Sequence, residues 1–279
     1  MDHPVLIIGC GYIGKLVAKS LQQKNQEVIG LVKSLESKNR LQQLGIPAVA
    51  LDITDHDSIN SLPKISAVIF SASSNRSGPL AFEKIFSIGL DNALKIAKNC
   101  PFLLVSSTSL YTQTEGQWVD EESPATPTTS SGEILKKAEV KVLDRGGTVL
   151  RASGIYGPQR VYRVTGLLQN TVRIDPRKKW INQIHGRDLA TAIVHFLTIP
   201  GLFNITDDLP TLEEDFYHWL CQRFDLPLPP IEPKAHHPKR GYSNKRVSNK
   251  KAKTFGFMLD FPTFKEGYSE LIKFFKSIG

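Results

Sequence analysis

Val5-Leu6-Ile7-Ile8-Gly9-Cys10-Gly11-Tyr12-Ile13-Gly14 is the stretch on which the fold turns. Four consecutive apolar residues rich in β-branched side chains predict a buried strand, and the apolar spacing of 13–23 predicts an amphipathic helix. Between them stands G-x-G-x-x-G. Gly9 permits the tight turn, Gly11 lets the backbone approach a pyrophosphate, and Gly14 lets helix and strand pack closely. The helix N-terminus offers backbone N–H donors to phosphate. Gly9, Gly11, Tyr12, Ile13 and Gly14 are therefore expected to hold a dinucleotide.

Working outward, short β-branched runs at 27–32, 48–51, 67–70, 102–106 and 148–151 alternate with helical segments at 37–44, 56–62, 81–98 and 132–143. Six strands with crossover helices predict an α/β Rossmann fold, a doubly wound parallel sheet with a smaller C-terminal substrate-binding region. The expected division is a dinucleotide-binding domain over 1–157 and a substrate-binding region over 158–279. Within the latter, 184–205 is expected to return to the Rossmann sheet through a helix at 186–197 and a strand at 202–205. Helices at 211–224 and 264–276 belong to the substrate region. The proline-rich, basic stretch 226–253 reads either as a mobile lid or as a plain surface connection.

Bulk composition narrows the function classes. Hydrophobic residues make up 41% and charged residues 22% of the chain, and no apolar run nears the roughly 18 residues of a membrane span. A cytoplasmic protein without a membrane partner is expected. Cys10, Cys100 and Cys221 are far apart and lack metal-ligand spacing, so neither a disulfide framework nor a metal site is implied. Much of the net charge of +8 sits in 234–253 without interleaved aromatics. This argues against nucleic acid and for a solvated basic face or a funnel for an anionic small molecule.

The choice of cofactor turns on the end of the second strand, where an acidic residue would accept from the ribose hydroxyls of NAD(H). Here Lys33-Ser34 follows Val32. A lysine pairs with a 2′-phosphate and a serine can donate to it, so NADP(H) is preferred, with NAD(H) left open by nearby Glu36. Asp52-Ile53, after the third strand, points to the adenine, although Asp52 could instead support Thr54 and Asp55 as helix caps. Ser71 and Ala72, after the fourth strand, are small residues suited to lining a cofactor.

Several stretches together resemble the extended short-chain dehydrogenase/reductase superfamily, in an atypical branch similar to NAD-dependent epimerase/dehydratase proteins. They are 9–14, Leu51-Asp52, 105–111, 150–158 (including Gly154-Ile155-Tyr156-Gly157-Pro158), 184–190, Trp118-Val119-Asp120-Glu121, 203–207 and 244–249. The resemblance implies that Ser106 and Ala152 adjoin the cofactor and that Ser107, with Thr108 beside it, takes the catalytic Ser/Thr position. The superfamily's Tyr-x-x-x-Lys-x-x-x-Glu pattern falls on Ser131, Leu135 and Glu139, so both the phenol and the ammonium are replaced. A serine hydroxyl cannot carry a proton near neutral pH without a base beside it. Lys136 is one residue out of register, about 100° around a helix.

Arg160 and Arg246 are the candidates for clamping an anionic substrate, with solvated arginines the alternative. A structural role is expected for His185, and a first-turn role at the helix dipole for Asp188. The resemblance also implies a homodimer through the helices at 81–98 and 132–143. Two functions are open on this reading: an NADP(H)-dependent oxidoreductase or epimerase/dehydratase-like enzyme with an atypical site, or a non-catalytic sensor of the NADP(H) redox state.

Overall fold

The computed structural model describes residues 3–56, 62–73, 78–233 and 243–277. The chain begins with β1 (Val5–Ile8), α1 (Tyr12–Gln23), β2 (Val28–Val32), α2 (Leu35–Gln43), β3 (Ala48–Ala50) and β4 (Ala67–Phe70). It continues through α3 (Pro79–Lys84), a π-helical turn (Ile85–Gly89), α4 (Leu90–Ile96), β5 (Phe102–Ser107), β6 (Gln117–Val119), α5 (Ser130–Asp144), β7 (Thr148–Ala152) and β8 (Gly154–Tyr156). Next come α6 (Tyr162–Leu168), β9 (Trp180–Ile181), β10 (Gln183–His185), α7 (Gly186–Phe196), β11 (Gly201–Ile205), β12 (Thr211–Leu212), α8 (Glu213–Phe224), β13 (Lys245–Val247), α9 (Lys250–Thr254) and α10 (Phe264–Ser277).

Two compact units divide the chain. The first comprises Met1–Ser107, Ser130–Arg151 and Leu189–Phe203, the second Thr108–Thr129, Ala152–Asp188 and Asn204–Gly279. The first unit is built on a seven-stranded sheet in the order β3-β2-β1-β4-β5-β7-β11. The pairings from β3 through to β5 are parallel, and β1 and β4 are buried along their whole length. Strands buried on both faces require the continuous apolar runs VLII and AVIF, which is why periodicity alone does not show them as alternating. The strand order reverses at β1, so the turns leaving β1 and β4 flank the switch point where doubly wound folds take their ligands.

Six strands were expected before the return segment; with β11 paired to β7 the sheet has seven. The single helix expected over 81–98 is interrupted by the π turn at Ile85–Gly89. The segment 56–62 lies largely outside the described residues.

The second unit has a core of Tyr156, Val164, Leu167, Phe216, Leu220, Phe264, Tyr268 and Leu271, among others, where α6, α8 and α10 meet. Its small sheets pair β10 with β8, β12 with β9, and β13 with β6. The expected boundary at 157/158 differs from this division, because Thr108–Thr129 joins the second unit. The links that recruit it join residues distant in sequence: β6 pairs with β13, the Tyr111 hydroxyl donates to Asn204 at 3.0 Å, and the Asn204 N–H donates to Glu121. Within 226–253, β13 and α9 are regular elements, and residues 234–242 lie outside the described residues.

Candidate cofactor and active site

The three glycines of the β1–α1 turn have different physical reasons. Gly9 has φ +80°, and a Cβ there would stand 2.3 Å from Cα of Ala72. At Gly14 a Cβ would meet the Gly9 carbonyl and the Ile7 side chain, each at 3.1 Å. Gly11 is different: a Cβ would find only the Gly9 carbonyl, at 3.9 Å. Its φ of −84° lies outside the left-handed region, so protein packing does not demand glycine there.

Gly11 is also the N-cap of α1 and supplies no side-chain cap. The helix ladder provides no partner for the N–H groups of Ile13 and Gly14. Open space above a glycine beside helix N-terminal donors is a cradle that fits a pyrophosphate.

Around this turn the serines assigned to the cofactor serve the protein itself. Ser71 Oγ donates to the carbonyls of Ile8 and Gly9 at 3.3 and 3.2 Å, tying the ends of β1 and β4 together. Ser34 Oγ accepts from the Ser37 N–H and caps α2. Ser106 Oγ donates to Glu139 at 2.6 Å. Ala72 presses against Gly9, and Ala152 is buried at the end of β7.

Lys33 pairs with Asp52 at 2.9 Å, the lysine side chain 82% exposed. Asp52 also accepts from the Thr54 N–H and hydroxyl at 3.0 and 2.8 Å. Burial works to raise the Asp52 pKa, but Lys33 and Thr54 outweigh it and hold the carboxyl below its ordinary value. Ile53 is buried, and Asn92 Nδ2 donates to its carbonyl.

Ser107 ends β5, half-buried, and Thr108 is buried at the start of a 3-10 turn running to Leu110. Ser131 and Leu135 lie one turn apart on α5, which packs against β5. Leu135 is 7% exposed, an apolar core contact on α5. Lys136 does not replace it, since its Nζ lies 3.9 Å from Glu139.

Glu139 and Arg151 are buried together. Arg151 Nε donates to Oε1 at 2.9 Å and Nη2 to Oε2 at 2.6 Å, a two-pronged pair completed by Ser106. This network joins α5 to β5 and β7, and sequence reading assigned Glu139 only its place in the family pattern.

Neither Tyr111 nor Tyr156 supplies the missing phenol. Tyr111 donates to Asn204 within the second unit. Tyr156 stacks on Tyr268 with ring centroids 4.4 Å apart, and burial pushes its pKa upward.

His185 packs against Tyr156 and Phe261, and burial lowers its pKa to about 4, so it is neutral at pH 7. Asp188 accepts from the N–H groups of Asp260 and Phe261 at 2.8 and 3.1 Å. Asp188 stands in the first turn of α7, as expected, and in addition anchors a distant loop. Burial raises the Asp188 pKa to about 6.

Arg160 is exposed in a tight turn closed by its own N–H to the Gly157 carbonyl. Arg246 lies between Trp118 and Trp180, 5.1 and 4.9 Å from their ring centroids, and its Nε donates to the Gly116 carbonyl. Beside it in sequence, Lys245 is buried and donates to the Tyr111 carbonyl and to Ser243. Sequence reading missed Lys245, since only the fold brings Tyr111 to it. Among the described residues no group of three or more potential ligands could hold a metal ion.

This arrangement defines a Rossmann-type α/β protein with a glycine-lined turn after its first strand. The chain belongs to the NAD dependent epimerase/dehydratase family, whose pattern it matches over residues 5–205. It is 26% identical over 240 residues to Protein YeeZ of Escherichia coli (strain K12), covering 81% of this chain and 85% of that one.

Among solved structures, a functionally unknown conserved protein from Silicibacter pomeroyi DSS superposes with a TM-score of 0.79 at 23% identity, covering 97% of this chain and 98% of that one. UDP-glucose 4-epimerase of Thermus thermophilus, in complex with NAD, superposes with a TM-score of 0.80 at 20% identity, over 98% and 99%. At these identities the two structures establish the shared fold.

Proposed function

We propose that this protein binds a nicotinamide dinucleotide at the β1–α1 turn and is an NADP(H)-preferring oxidoreductase or epimerase/dehydratase-like enzyme that works without the usual phenol–ammonium pair. The observation that carries the dinucleotide reading is the open space over Gly11 beside the N-terminal N–H donors of α1. Family membership supports the same reading. When bound, the dinucleotide would supply or remove a hydride.

The chain's own residues would do the rest. Backbone N–H groups of α1 hold the pyrophosphate, and Ile53 with Asp52 meets the adenine. Lys33 meets the 2′-phosphate, which must compete with Asp52 for it. NAD(H) is the second cofactor on this reading. Ser107, Thr108 and Ser131 offer hydroxyls to the reacting group, with the proton carried by water or by the substrate. In the second unit Arg160 and Arg246 suit an anionic small molecule, and the Nε–Gly116 bond fixes the orientation of the Arg246 guanidinium.

We take the protein to be cytoplasmic, with no nucleic-acid or membrane partner, and homodimeric through α3, the π turn, α4 and α5. Leu80, Ile88 and Val140 are 75%, 48% and 45% exposed there. Light scattering after size exclusion should show twice the chain mass; a monomer at micromolar concentration rejects the dimer.

A second reading, a redox sensor without turnover, is favoured by the burial of Leu135 where an ammonium would stand. Titration with NADPH and NADH, followed by a panel of carbonyl substrates, separates the two. Tighter NADPH binding that Lys33→Met abolishes supports the cofactor preference, and turnover establishes the enzyme. Binding without turnover across the panel favours the sensor; binding of neither cofactor rejects the proposal.

A further inference from the structure

Asn92 is a polar side chain 3% exposed on α4, and both ends of its amide are engaged by the loop leaving β3. Nδ2 donates to the Ile53 carbonyl at 2.9 Å, and Oδ1 faces His56 Nδ1 at 3.2 Å. These bonds span 39 and 36 residues of sequence. Gly89, one turn earlier, lies against the same loop: a Cβ there would stand 3.1 Å from Cγ2 of Ile53 and 3.6 Å from Cγ2 of Thr54. Residues three apart share a helix face, so one face of this helix meets the loop at two points.

The π turn at Ile85–Gly89 ends at Gly89, directly before α4. Such turns insert one extra residue and rotate the helix beyond them, and they recur at functional sites. Meanwhile Asp52 is fixed by its own turn, through the Thr54 N–H and hydroxyl. The loop is thus held from beneath by Asn92 and from within by Asp52, at the carboxyl end of a strand two places from the switch point.

We infer that Asn92 is a positioning residue for the adenosine end of the dinucleotide, acting through the Ile53 carbonyl to set where Asp52 and Ile53 present themselves. This inference rests on the dinucleotide reading given above. In this role Asn92 acts through the loop and not on the cofactor itself. It converts a short surface loop into a rigid wall, and a group held in place before binding does not lose the entropy of being ordered on binding.

Calorimetric titration of the full-length protein with ADP-ribose at a temperature well below unfolding tests it. Asn92→Leu, similar in size but unable to bond, should weaken ADP-ribose binding about tenfold. His56→Ala, which removes only the outer partner and leaves the helix core untouched, should weaken it about twofold to threefold. Circular dichroism confirms that each variant is folded.

A purely structural Asn92 would lower the melting temperature and leave the affinity of the folded protein unchanged; that result overturns the inference. Should Asn92→Leu not fold, unchanged affinity in His56→Ala overturns it equally. Failure of the unmodified protein to bind ADP-ribose or NADPH would instead remove the dinucleotide reading itself, and the inference with it.

Discussion

At Gly11 a methyl group would enter open space, whereas at Gly9 it would collide with Ala72. The two glycines therefore separate binding from folding. Gly11→Ala, where nothing crowds the methyl group, should lower the melting temperature clearly less than Gly9→Ala and weaken dinucleotide binding at least about tenfold, because the methyl group fills the cradle. Gly9→Ala should destabilise the fold by about 1–3 kcal/mol or more, from strain at positive φ and the clash together. Thermal melts and titrations on both variants check this, and equal behaviour of the pair would refute it. Asp52→Asn releases Lys33 from an exposed ion pair worth about 1 kcal/mol at most. The ratio of NADPH to NADH affinity should accordingly rise about twofold to fivefold, and an unchanged ratio would show that Asp52 does not hold Lys33 back.

Between α5 and the sheet, the Glu139–Arg151 pair decides more than its place in a motif suggests. Both side chains are essentially inaccessible and Ser106 completes the bonding. Removing one partner strands a charge in the interior, so Arg151→Met should cost about 3–5 kcal/mol in urea unfolding. Replacing both with apolar residues, as in Glu139→Leu with Arg151→Met, should recover much of that loss. A single substitution costing under about 1 kcal/mol would mean that water reaches the site.

The elements themselves were largely readable, because β1, β4 and β5 are continuous apolar runs and α1 is amphipathic. The π turn was not. Ile85-Phe86-Ser87-Ile88-Gly89 has no sequence mark that separates it from an α-helix, and only packing against the β3 loop shows what it accommodates.

Over the whole molecule, buried ionisable groups gather in the second unit. Asp207 is 2% exposed, Oδ1 accepts from the Leu209 N–H at 3.3 Å, and Oδ2 has no hydrogen-bond partner among the described residues. Burial, with Asp208, Asp188 and Glu266 adding to it, pushes the carboxyl well above its ordinary 3.8. A raised folded pKa means that the folded state retains a proton the unfolded state releases. Its contribution to stability is then complete below pH 3.8 and lost as pH rises through the folded value. Asp207→Asn carries no such proton. Its stability relative to the unmodified protein should improve as pH rises from 5 to 8, by up to about 1.4 kcal/mol per pH unit. Urea melts at the two pH values read the difference, and a relative stability of Asp207→Asn that stays constant or falls as pH rises would refute the assignment.

By itself the sequence determined the Rossmann sheet and the glycine-bearing β1–α1 turn. Each is a local pattern of spacing or residue type, set by backbone periodicity and steric demand. The tertiary structure alone decided which polar groups meet. It gave the hydroxyls of Ser34, Ser71 and Ser106 to the protein, brought Lys33 to Asp52 and placed Arg246 between two tryptophans. It also joined Asn92 to a loop 39 residues away. Such contacts depend on chain segments brought together by burial of the core, and a side chain's hydrogen-bond partner across that distance leaves no periodic trace in the sequence.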